Sequence, residues 1–203
     1  YEIGISNQAV QILYHLARCA SGVAVERVYL PWVDVLAEMR KDGVPLLTLE
    51  TWTPVAETDL VALTLQHEFN YTNVLEMLDL AGLPVRAEAR AEGMPLILGG
   101  GPAVADFLPV APFFDAIAVG DGEELFPEML AVLTEAKRQA LPRQDTLRGL
   151  AGLEGVFVPG LSRKVRRRVL GRLEGAPFPT QCLVPLTAGV HDRAWVEIMR
   201  GCT

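Results

Sequence analysis

The run Leu60-Val61-Ala62-Leu63-Thr64-Leu65 is apolar at almost every position and lacks the alternation of a strand with one wet face. Such a run reads as a β-strand covered on both sides, which places residues 60–65 in the middle of a sheet. Further candidate strands are Val23–Leu30, rich in valine and ending at Pro31, the short Leu46–Leu49, and Pro95–Leu98 and Ala116–Val119, the last two each followed by glycine.

Between these runs the hydrophobic period changes to that of helices. Ser6 is the expected N-cap of a first helix whose apolar face is Ala9, Ile12, Leu13, Leu16 and Ala17. Residues 32–41 form a second, closed by Gly43, and Thr72–Ala81 a third, with Leu75 and Leu78 on one face and Gly82 at its end. A short helix or turn is expected near residues 103–108. A long helix over Glu123–Ala140 buries Leu125, Met129, Val132, Leu133 and Ala136. Strands alternating with helices predict an α/β chain with a doubly wound, mainly parallel, Rossmann-like sheet, because parallel strands need crossovers. In such folds ligands bind beyond the carboxyl ends of the strands. The loops Gly4–Asn7, Gln66–Asn70, Gly99–Pro102 and Gly120–Glu123 should therefore share one crevice, and its candidate binding residues are Gly4, Ser6, Thr64, Gln66, Gly100, Gly101, Gly120 and Asp121.

The net charge of −7 argues against a general nucleic-acid or acidic-membrane binder, since phosphate binding rests on clustered positive charge. The one dense basic run, Ser162 to Arg168, would suit an RNA substrate but reads more simply as a solvated strand face. No apolar run is long enough to span a bilayer, and Tyr1-Glu2-Ile3-Gly4 lacks the regions of a secretory signal, so a cytoplasmic protein is expected. Cys19, Cys182 and Cys202, odd in number and widely spaced, do not form a disulfide framework. With no initiator Met and an end at Gly201-Cys202-Thr203, the sequence reads as an excised piece. Three parts are expected: an α/β domain over residues 1–141, a glycine- and proline-rich hairpin and linker over 142–193, and a final strand that opens a truncated barrel over 194–203. The hairpin should pair Val156-Phe157-Val158 with Val165–Leu170.

The stretch richest in chemistry is Gly99-Gly100-Gly101-Pro102, followed by Asp115-Ala116-Ile117-Ala118-Val119-Gly120-Asp121-Gly122-Glu123-Glu124. Glycines directly after a buried strand allow positive φ and let a flat ligand or a phosphate approach the backbone. Asp121, Glu123 and Glu124 also suit the positive end of the helix they open. A Gly-Gly-Pro turn followed by an Asp-opened strand ending in Gly-acid-Gly-Glu resembles the cobalamin-binding domains at the N-terminus of radical S-adenosylmethionine (SAM) proteins. Tyr1 to Asn7, Gln66 to Leu75, and His191-Asp192-Arg193 continuing to Glu197-Ile198-Met199-Arg200-Gly201-Cys202-Thr203 extend the resemblance to the B12-binding radical SAM subgroup.

The resemblance implies a module that presents a cobalamin-like small-molecule cofactor to a downstream radical SAM barrel of the same chain. It also implies that Cys202 is the first ligand of a Cys-x3-Cys-x2-Cys loop holding a [4Fe-4S] cluster, with the fourth iron left for SAM. One cysteine cannot hold the cluster, so cluster and SAM belong to the complete protein and the piece by itself is not catalytic. The Asp-x-His-x-x-Gly motif of many cobalamin domains is missing from the loop at Tyr1–Asn7. Two readings stand at this point: cobalamin held without a protein imidazole, or a cobalamin-free scaffold that recognises substrate or packs on the barrel. His15 reads as a helical residue. His67 falls in the expected crevice, where an imidazole has chemistry to offer but a polar loop residue is the commoner explanation. An unrelated nucleotide-binding Rossmann domain is a third and weaker reading, because no Gly-x-Gly-x-x-Gly follows a strand and no Walker motif is present.

Overall fold

A computed structural model describes residues 1–180, 183–187, 189–190 and 196–199. The chain opens with a single turn, α1 (Glu2–Ile5), and then α2 (Gln8–Cys19). The cap of α2 is Asn7 and not Ser6: the Asn7 side-chain oxygen accepts from the amides of Ala9 at 2.9 Å and Val10 at 3.3 Å. This satisfies two of the donors that a helix start leaves open. Ser6 instead closes α1, its hydroxyl donating to the Glu2 carbonyl at 2.9 Å.

After α3 (Val33–Asp42), which Gly43 ends at φ 67°, come β1 (Leu60–Thr64), α4 (Asn70–Leu80), β2 (Leu96–Gly100), β3 (Ala116–Ala118), α5 (Gly122–Arg138), α6 (Arg143–Ala151) and β4 (Val156–Phe157). The short helix or turn expected near 103–108 is the 3-10 helix Pro102–Asp106, and a second, Ala111–Phe113, follows it before β3. α5 carries Glu123 and Glu124 in its first turn and Lys137 and Arg138 in its last, both favourable to its dipole.

The sheet order is β1-β2-β3-β4, parallel from β1 to β3 and antiparallel at β4. α/β doubly wound character follows from the two cores. On one face Val61, Leu63, Ile97 and Ile117 pack with Val74 and Leu78 of α4, with Leu36 and Met39 of α3 alongside. On the other, Leu96, Leu98 and Ala116 meet Leu125 and Met129 of α5 and Leu147 and Leu150 of α6. α6 and β4 thus lie beyond Leu141 and still contribute to the core.

Three expectations are corrected. Val23–Leu30 enters no ladder, and Leu46–Leu49 makes a single bridge, Leu47 to Pro54. β1 is consequently an edge strand among the described residues, not a central one, and Ala62 in its middle is exposed. The hairpin also does not form. β4 pairs with β3, while Arg168 bridges to Gly120, the Arg168 amide donating to Val119 O at 2.9 Å and its carbonyl accepting from Asp121 N at 3.0 Å. The segment 165–170 therefore caps the end of β3, where open backbone groups were available, and leaves β4 alone. The expected strand over 194–199 and the cysteines Cys182 and Cys202 lie wholly or partly outside the described residues.

The amino ends of the strands are fastened by a buried ion cluster. Asp115, at the start of β3, accepts from Arg90 at 2.8 Å and Arg143 at 2.7 Å, and from the Ile97 amide at 2.8 Å. Arg90 also donates to Pro84, Val85 and Phe113 carbonyls. Its guanidinium is fully enclosed, and burial holds its pKa below the ordinary arginine value against the opposing pull of Asp115.

Candidate functional site

The carboxyl ends of β1, β2 and β3 open into one large cavity of about 2760 Å³ that extends down the exposed side of β1. Gly4, Thr64, Gln66, Gly100, Gly101, Gly120 and Asp121 all line it; Ser6 does not, being turned into its own helical bond. Parallel strands make this convergence automatic, because every crossover returns the chain so that each strand ends at the same edge.

Each residue has a local reason for its place. Gly101 stands at φ 109°, and a side chain there would come within 2.7 Å of Leu65 O. The Leu65 amide donates to Gly100 O at 2.6 Å and its carbonyl accepts from Ala103 N at 3.0 Å, so the loop after β2 is folded directly onto the end of β1. Gly120, at φ 122°, is crossed by the Arg168 backbone. Gly4 is pressed against the Tyr29 ring. Gly100, by contrast, has only ordinary contacts at 3.7 Å with Ala118. At Gly101 and Gly120, then, the absent side chain makes room for the protein's own backbone.

Asp121 accepts from Leu170 N at 2.8 Å and holds the 165–170 segment over β3. Gln66 and His67 donate their amides to the Asn70 side chain, forming a tight turn into α4. His67 is exposed, accepts from Phe69 N at 3.3 Å, stacks on Phe69 at 4.7 Å, and does not line the cavity. His15 lines a small separate hollow with Cys19. Within the basic run, Arg168 pairs with Glu124 at 3.0 Å and Glu128 at 2.8 Å, and Arg166 with Glu154 at 3.4 Å.

The far wall carries residues that the sequence reading passed over. Arg27 forms an ion pair with Glu50 at 2.7 Å and lies 5.3 Å from the Tyr14 ring. Burial opposes the Arg27 charge, but Glu50 and the nearby Tyr29 and Tyr14 outweigh it and hold its pKa above the ordinary value. Burial also raises Tyr29, against the neighbouring Arg27. An Arg and a Glu separated by 23 positions give no spacing signal, so only the fold brings them together. Asn73 of α4 also lines the cavity.

No group of three or more His, Cys, Asp or Glu among the described residues is arranged to hold a metal ion. Also among these, no helix is long and apolar enough to cross a membrane. The scan of family models matches residues 9–159, from α2 through β4, to "Radical SAM proteins, N-terminal".

The chain belongs to the radical SAM N-terminal family.

Comparison with curated proteins gives no match, and comparison with solved structures gives none either. Membership makes this radical SAM N-terminal domain a module of a radical SAM enzyme with a catalytic domain in the same chain, and implies SAM and a [4Fe-4S] cluster in the full protein. Cys202, expected to be the first cluster ligand, falls outside the described residues.

Proposed function

We propose that this radical SAM N-terminal domain holds a cobalamin-like ligand at the carboxyl ends of β1–β3 and presents it to the downstream barrel. The observation that supports the reading is that Gly4, Thr64, Gln66, Gly100, Gly101, Gly120 and Asp121 line one cavity at the strand ends, with Gly100 leaving its floor without a side chain. A wide, glycine-floored crevice suits a flat macrocycle, which needs close approach to main chain more than individual side chains. Thr64, Gln66 and Asp121 offer polar groups at its rim. With His67 turned outward, no imidazole of the described residues is offered to cobalt. The reading therefore rests on shape and main-chain contact. Bound cobalamin would supply alkyl-transfer or radical chemistry, and the residues here would bind and orient it. Cys202 would carry the first thiolate of the cluster, and the cytoplasm is the compartment in keeping with three widely spaced cysteines that do not resemble a disulfide framework in the sequence.

A second reading, a cobalamin-free scaffold that packs on the barrel or meets substrate, is favoured by one specific observation. Gly101 and Gly120 are required by the approach of Leu65 and Arg168, which would demand glycine with no ligand present. Hydroxocobalamin titration of the full natural chain, followed by absorbance and calorimetry, separates the two. Saturable binding with a perturbed corrin spectrum, weakened by Gly100→Val, is expected for the first reading. A folded chain that takes up no hydroxocobalamin refutes it in favour of the scaffold.

A further inference from the structure

β1 has an unused edge. Leu96 N donates to Asp59 O at 3.1 Å and Leu65 N to Gly100 O at 2.6 Å, with Leu60 opposite Leu96 in a parallel register. In that register the odd residues of β1 bond to β2, and the amides and carbonyls of Leu60, Ala62 and Thr64 point the other way. Among the described residues, no loop or turn backbone bonds to Ala62 or Thr64 from that side. Across the cavity, the Arg27 amide donates to the Glu50 carboxylate and the Arg27 carbonyl accepts from Leu49 N at 2.9 Å, and neither Leu49 nor Glu50 lines the cavity. The Val23–Leu30 segment and β1 line the same trough, with Val28, Ala62 and Leu98 in its wall; the outward Leu60 carbonyl accepts from the Thr58 hydroxyl at 3.4 Å, while the outward backbone groups of Ala62 and Thr64 meet no loop or turn backbone among the described residues.

The helices fix directions. The start of α5 at Gly122 lies by Leu13 of α2, and Gly22, just after α2, lies by Thr134 near the end of α5. α2 therefore runs parallel to α5, from the carboxyl edge of the sheet back to its amino edge, and Val23–Leu30 runs forward alongside β1. Tyr1 stands at the carboxyl edge, its ring 5.8 Å from that of Tyr29.

We infer that the trough is a slot for one further β-strand, parallel to β1, contributed by a segment of the same chain that leads directly into Tyr1. A strand there followed by α2 and Val23–Leu30 makes a βαβ unit, with its helix on the α5 face. The return through α3 to β1 puts its helix on the α4 face, as right-handed crossovers in opposite directions require. A second copy of the chain would offer no such connection to Tyr1. The apolar character of Ala62 and its neighbours is then that of a strand with partners on both sides. The slot also sets the switch point of the sheet between the added strand and β1, because chain order advances in opposite directions from there, and crevices for ligands form at such points. The inference rests on the sheet and not on the identity of any ligand.

Amide hydrogen exchange on the full natural chain tests it. Leu65 and Leu96, bonded across β1 and β2, report that the sheet is folded. Ala62 and Thr64 are expected to exchange as slowly as these two in the natural chain, and to become fast, with Leu65 and Leu96 still slow, when the chain is made to start at Tyr1. Fast Ala62 and Thr64 in the folded natural chain overturn the inference. So does protection that persists in the shortened monomer, which means internal closure, or protection that depends on protein concentration, which means a second copy fills the slot. Hydroxocobalamin is absent from the assay, so its outcome is independent of the cobalamin test.

Discussion

Replacing Asp115 by asparagine keeps the shape of the side chain and removes the carboxylate that, among the described residues, pairs with both Arg90 and Arg143 in the buried cluster. The Arg90 guanidinium is 0% exposed, Asp115 3% and Arg143 9%, so water cannot take over the lost charge. Asparagine can still accept one bond, but two guanidinium groups then share a buried space with no counter-charge. Breaking a buried pair from one side costs about 3–5 kcal/mol. For a chain of this size each kcal/mol moves the melting midpoint by about 2–4 °C, so Asp115→Asn should melt roughly 6–20 °C lower. Urea unfolding monitored by circular dichroism should show the same loss as a lower midpoint at constant slope. Pairing Asp115→Asn with Arg143→Met should recover part of it, because the double variant leaves a single guanidinium, already bonded to three carbonyls. A loss below about 1 kcal/mol in the single variant, typical of an exposed pair, would refute the claim that the cluster is electrostatically closed.

Three further substitutions probe the carboxyl edge. Asn7→Ala removes the side-chain acceptor shared by Ala9 and Val10 amides and should cost about 1 kcal/mol in chemical denaturation, whereas Ser6→Ala should change little. Gly101→Ala places a methyl group 2.7 Å from Leu65 O at a φ of 109°, and should cost about 1–3 kcal/mol; an unchanged unfolding midpoint would mean that the loop after β2 does not lie on β1 as described.

Much of the fold was legible in local pattern. The apolar runs at 60–65, 95–98 and 116–119 mark three parallel strands to within two residues, and the positions of α4 and α5 follow from helical spacing and the glycines around them. The loops after those strands were equally legible as one crevice, because parallel topology gathers strand ends whatever the details of packing. What failed depended on partners distant in sequence. β4 was expected to pair forward with residues 165–170, since a hairpin is the nearest local solution, but the free edge of β3 was available and took it.

The sequence by itself determined the alternation of strands and helices, the sites where glycine breaks the backbone, and the family to which they point, since these rest on the chemistry of neighbouring residues. Only the tertiary structure decided what those features are for. Asp115 reads in sequence as part of a ligand-loop pattern, and in space it is the anchor for two arginines 25 and 28 positions away, Arg90 and Arg143. Gly101 and Gly120 read as open floor, and in space two backbones cross them. The run at 60–65 reads as the centre of a sheet, and in the described chain it forms an edge beside an empty width of one strand. Local sequence specifies which backbone conformations are cheap; which surfaces then meet depends on contacts between residues far apart, and no short window contains them.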